Sequence, residues 1–103
     1  MKYFFAFVVI TFLVINLSAV HSNGNWHVIR TIHIGGKGRW DYLAAYDGKL
    51  YVSHDSLVNV VNENSGDSIT IIPGTYGVHG IAFAPSFGKG FITAGRMNSV
   101  ILF

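Results

Sequence analysis

The 103-residue chain has no cysteine, two prolines and only 12% charged residues. Without cysteine it can build no disulfide scaffold, no thiolate zinc site, no cysteine nucleophile and no lipidated cysteine. Seven Lys and Arg against five Asp and Glu leave a formal charge of +2. That excludes a strongly basic nucleic-acid arm or an acidic tail. No Gly-x-Ser-x-Gly elbow, no carboxylate pair at useful spacing and no haem-attachment motif occurs, so the residues indicate neither a nucleophile nor a general base. The expectation is a non-enzymatic protein with no cofactor. The length suits one small domain.

What the chain does have is divided unevenly. Residues 1–20 (MKYFFAFVVITFLVINLSAV) carry Lys2 as their only charge, and 16 of them are apolar. A basic start, a short apolar centre and then small residues (Ser18, Ala19) form the layout of a secretory signal peptide. The centre is short for a bilayer crossing, which takes about 20 apolar residues. We therefore expect residues 1–22 to be a leader and the protein to be exported, periplasmic or extracellular. A membrane would be touched only if the leader stays uncleaved. All 12 glycines lie beyond it.

Beyond the leader the apolar period is that of strands. Residues 27–34 (HVIRTIHI) alternate. Residues 40–46 are aromatic and aliphatic, and Asp47-Gly48 follows as a tight hairpin signal. Further β-type runs cover residues 50–53, 58–61 and 68–72, closing at Pro73-Gly74. The cycle restarts with 78–84, 90–93 and 99–103. Short strands with turn signals between them indicate an all-β sandwich, barrel or propeller.

Internal repetition separates these options. Asp41 superposes on His79 and Leu43 on Ile81 at an offset of 38 residues. Gly48-Lys49 superposes on Gly88-Lys89 and Tyr51 on Phe91 at 40, and Val58 on Val100 and Val60 on Leu102 at 42. Upstream, Ile32-His33-Ile34-Gly35 matches Ile71-Ile72-Pro73-Gly74 at 39. The slippage falls in turns, where insertions are tolerated. A period near ~40 residues made of four short strands is that of a β-propeller blade.

The stretches Leu50-Tyr51-Val52-Ser53-His54, Gly77-Val78-His79-Gly80-Ile81-Ala82-Phe83-Ala84-Pro85 and Gly95-Arg96-Met97-Asn98-Ser99-Val100 resemble the repeats of YVTN-repeat, YncE-like β-propellers. Trp40-Asp41-Tyr42-Leu43 resembles the first full blade of such proteins. The resemblance runs from about Ile29 to Phe103. Met97 and Asn62 depart from it, standing where many repeats carry an acidic residue. The resemblance implies an outer strand at 27–34, a first full blade at 40–72 and an incomplete second blade at 78–103, within a partial propeller spanning 23–103. That is about one and three-quarter blades of a ring that takes four to eight. The expectation is an N-terminal fragment of a longer binding or interaction module. The alternatives are part of a cofactor- or metal-dependent propeller enzyme, or a truncated product with no function of its own.

Candidate site residues follow from the same resemblance. Asp41 and His79 hold equivalent places at the starts of successive inner strands, which rim the central channel of a closed propeller. They are candidate ligand-binding residues, together with His54 at the end of the second strand. The other reading is that they cap turns. The partner expected on the channel face is a ligand or a protein of unknown identity. Lys37, Arg39 and Arg96 are weak candidates for an anion or nucleic-acid contact, with Trp40 or Tyr42 for stacking. Gly35-Gly36-Lys37-Gly38-Arg39 reads as a connection rather than a phosphate loop, because a strand follows it. His21, His27 and His33 have no fourth partner in view, so no metal site is expected. Tyr51, Phe83 and Phe91 are expected in the core.

Overall fold

The structure is a computed structural model that describes residues 24–103. The predicted leader and His21 lie outside the described residues. Among the described residues no helix is long and apolar enough to cross a membrane. The chain divides into two units, Met1–Arg30 and Thr31–Phe103. Within the first, residues 24–30 form neither strand nor helix.

The second unit is all-β and holds two antiparallel sheets. Sheet A joins β1 (Trp40–Tyr46), β2 (Lys49–His54), β3 (Leu57–Asn62) and β4 (Ser68–Pro73) in chain order. Sheet B joins β5 (Val78–Ala84), β6 (Lys89–Ala94) and β7 (Ser99–Leu102) in chain order. The strands are rich in Val, Ile, Tyr and Phe, whose branched or flat side chains suit a pleated surface. The turns follow local chemistry. Asp47 and Gly48 hold φ of 50° and 70° and join Tyr46 to Lys49 directly, as a mirror-image two-residue hairpin requires. In the β3–β4 turn, Asn62 Oδ1 accepts the N–H groups of Asn64 and Ser65, each at 2.9 Å. Asn62 thus closes its turn by an Asx-type bond.

The sequence repeat is also a geometric repeat. Trp40 pairs with His54 in sheet A, and Val78 pairs with Ala94 in sheet B. In both sheets the register then shifts, between Trp40 and Leu43 and between Val78 and Ile81. A hydroxyl clasps each irregularity. Ser53 Oγ accepts the Tyr42 N–H at 2.8 Å, and Thr93 Oγ1 accepts the Gly80 N–H at 2.8 Å. The turn at each strand start is tied alike: Asp55 N–H donates to Arg39 O at 3.0 Å, and Gly95 N–H to Gly77 O at 2.8 Å. The growth of the offset is explained too. Sheet A uses two-residue turns at 47–48 and 55–56. Sheet B replaces them with 3-10 turns, Pro85–Phe87 ending on Gly88 and Gly95–Met97 ending on Asn98. Each is two residues longer.

The sheets pack head to tail. The face of sheet A that meets sheet B, its front, carries Ala44, Tyr51, Val58, Val60 and Ile72. The opposing back of sheet B carries Val78, Ile81, Phe83, Ile92 and Ile101. Tyr51 meets Phe83 edge-on with ring centroids 4.8 Å apart, and Tyr46 stacks on Phe83 at 4.4 Å. Gly90 leaves room for the Phe103 ring: a Cβ there would stand 2.3 Å from it, and the ring would have to move aside.

Two expectations end differently. No ladder forms over residues 27–34, because among the described residues no strand lies alongside to take its hydrogen bonds. Residues 32–34 lie instead over the back of β3 and the β3–β4 turn. A Cβ on Gly66 would meet Ile32 at 3.2 Å, and His33 and Ile34 share a crevice with Asn59, Val61 and Ser68. Phe91 is not in the core. It points from the front of sheet B, 37% exposed, because among the described residues no sheet covers that face.

Candidate functional site

The two clasped irregularities bring the starts of β1 and β5 side by side. Ser53 is fully buried beneath them. Its oxygen lies 3.0 Å from Tyr42 O and 2.9 Å from His79 O, so one proton is shared between a carbonyl of each sheet. Gly77 N–H and Val78 N–H both reach Asp55 O, at 2.8 and 3.2 Å. Backbone and hydroxyl together thereby fix β5 against sheet A at this end.

Two side-chain pairs then cross from one sheet to the other. The Asp41 carboxylate and His79 Nδ1 form a hydrogen bond. Arg96 Nη2 donates to Asp55 Oδ1 at 2.7 Å. Both pairs line one open cleft of about 460 Å3, with Arg39 and Trp40. Gly77, at φ 67°, forms part of its floor. A Cβ there would stand 2.7 Å from Arg96 N, so the close approach of the two turns needs glycine.

The sequence-predicted residues are distributed as follows. Asp41 and His79 meet. Arg39 and Arg96, expected as anion contacts, line the same cleft as that pair. Lys37 is exposed and outside the lining. His54 is buried behind the cleft wall rather than presented on it. Its ring stacks on Trp40 with centroids 3.6 Å apart and planes 16° from parallel. Its Nδ1 lies 3.1 Å from Asn59 Oδ1. Gly36 and Gly38, both at positive φ, approach its ring so closely that a Cβ at Gly36 would stand 2.3 Å from Cε1. His54 therefore positions the Trp40 indole. His33 faces the crevice over β3, away from the cleft. Asp55, in the turn between β2 and β3, was not among the sequence-predicted residues.

The chemistry available is polar recognition. Two guanidinium groups, two carboxylates, an imidazole and an indole face one opening. The lining includes no serine, threonine or cysteine side chain, so no hydroxyl or thiol nucleophile lines the cleft beside the Asp41–His79 pair. Among the described residues no three His, Asp or Glu side chains gather as metal ligands. No protein-family model, curated protein or solved structure matches the chain.

Proposed function

We propose that the chain is an exported, non-enzymatic binding or interaction module of the β-propeller type, as its resemblance to YncE-like repeats implies, and that the cleft at the strand starts is its ligand face. One observation carries this reading. The two sheets repeat the same hydroxyl-clasped irregularity and the same turn bond, and they are packed front to back. Blades of a propeller follow one another in this way, and their first strands lie nearest the axis. Asp41 and His79 then stand on the channel rim. The groups around them suit a small polar ligand or an extended partner segment that brings both donors and acceptors.

The test is a binding screen of the purified chain. Divalent cations, carboxylic and amino acids, and simple sugars are titrated while backbone amide resonances are followed by NMR. The reading expects at least one compound to shift Trp40, Asp41, His79 and Arg96 together. It expects His79→Ala and Asp41→Asn to abolish that shift while the melting temperature stays within about 4 °C, since exposed ion pairs contribute little to stability. Shifts confined to other faces would overturn the assignment of the cleft.

A further inference from the structure

Charge in the cleft at the strand starts is not evenly spent. Arg96 donates to Asp55 Oδ1 at 2.7 Å, so these two cancel within the wall. Asp41 accepts from His79 Nδ1. A carboxylate has no proton to give, so the ring proton sits on Nδ1 and, in the neutral imidazole, Nε2 is a bare acceptor. That bond leaves the Asp41 charge in place. Arg39 lines the same cleft and makes no ion pair among the described residues. The cleft therefore presents one uncompensated cation and one uncompensated anion.

The two charges stand two residues apart where the chain enters β1. In an extended chain such residues share a face, with α-carbons about 7 Å apart. Both are held in place. Arg39 O accepts the Asp55 N–H at 3.0 Å. Gly38, at φ 125°, lies so close to Asp55 that a Cβ on it would stand 2.7 Å from the Asp55 Cβ. Tyr42, next to Asp41, is bound to Ser53 Oγ through its N–H and its carbonyl, and His79 O accepts from the same hydroxyl. Groups fixed in this way lose little freedom on binding. The fold itself does not call for the guanidinium. At the repeat offset of 38 the counterpart of Arg39 is Gly77, and the second repeat makes the same turn bond with no side chain there.

We propose that the cleft takes a free α-amino acid, held as its zwitterion. The α-carboxylate lies against Arg39, whose planar fork matches two carboxylate oxygens. The α-ammonium donates to His79 Nε2 and to Asp41. This rests on the reading of the cleft as a ligand face and adds its substrate class. Other classes fit the charges less well. A simple carboxylic acid leaves Asp41 unanswered, a divalent cation leaves Arg39 facing like charge, and a neutral sugar answers neither. The opening of about 460 Å3 is of the size that small-molecule clefts have, so a side chain fits beyond the two charged groups.

The test separates the two charges. Uncharged L-amino acids are titrated singly into the purified chain and followed by backbone amide NMR. The tightest binder is then compared with its N-acetyl and carboxamide forms, each of which lacks one charge. The proposal expects shifts at Arg39, Asp41 and His79, and binding weaker by about tenfold or more for each derivative, because a charge-assisted hydrogen bond is lost. Arg39→Gln should weaken the amino acid to the same extent and leave the affinity for the carboxamide unchanged, which a merely structural arginine would not do. Arg39 is exposed, so the variant should keep the native melting temperature. Lys37→Gln, outside the cleft lining, should change neither affinity. Equal affinity for all three forms, or no binding by any amino acid, overturns the proposal. If no amino acid binds while a sugar, a carboxylic acid or a divalent cation shifts Trp40, Asp41, His79 and Arg96 together, the zwitterion fails and the ligand face stands. If nothing shifts the cleft, both fail.

Discussion

Ser53 and Thr93 make the same local bonds, so replacing each isolates what the neighbouring sheet adds. Ser53→Ala removes a fully buried hydroxyl that serves Tyr42 N–H and shares its proton between Tyr42 O and His79 O. Sheet B closes over this point and excludes water, so the amide and the His79 carbonyl lose a partner that solvent does not replace. An unsatisfied buried polar group costs about 1–3 kcal/mol. In a unit of this size that lowers the melting temperature by roughly 4–8 °C per kcal/mol. Thr93→Val removes the counterpart hydroxyl and keeps the shape. Gly80 N–H and O then face water, and the expected loss is under about 0.5 kcal/mol. Urea unfolding of both variants, at a concentration where the native chain is monomeric, gives the comparison directly. Equal losses, or a larger loss for Thr93→Val, would refute the idea that stacking rather than the local bulge makes the buried hydroxyl matter.

Other expectations are shorter. Ile92 is fully buried in the shared core, so Ile92→Ala should cost about 2–5 kcal/mol and both sheets should melt together, as circular dichroism and NMR would show. Gly77→Ala places a Cβ against Arg96 N at a positive φ and should cost more than about 1 kcal/mol by the same urea assay. Arg96→Ala removes a pair in which the arginine is largely exposed. It should change stability by less than about 1 kcal/mol, and added salt should shrink the difference.

Much of the β architecture was legible because strands and turns are governed by local chemistry. Val58, Val60, Ile81 and Ile92 alternate with polar or small residues, and Asp47-Gly48 can do little but turn. The repeat was legible because Tyr51 and Phe91, or Ser53 and Thr93, hold the same strand position in each sheet. It also paired Asp41 with His79, which the structure brings into contact. What stayed hidden depends on which neighbour lies opposite. Phe91 has the sequence signature of a core residue, yet core status needs a facing sheet. His54 sits at a strand end, where a rim position was expected, but Trp40 and two glycines enclose it. Residues 27–34 alternate like a strand, yet alternation supplies no ladder partner. The Asp55–Arg96 pair joins corresponding turns of the two sheets, 41 residues apart, but neither residue has a counterpart of its own kind in the other turn, so the repeat did not mark them.

The central claim is that the two sheets are repeats stacked front to back. A methyl–methyl nuclear Overhauser spectrum of the monomeric chain tests it most directly. The account predicts strong cross-peaks from Val58 and Val60 to Ile81 and Ile92, and none to Val100 or Leu102. Cross-peaks between Val58 and Val100 would mean that the two fronts face each other in a symmetric sandwich, and would contradict it.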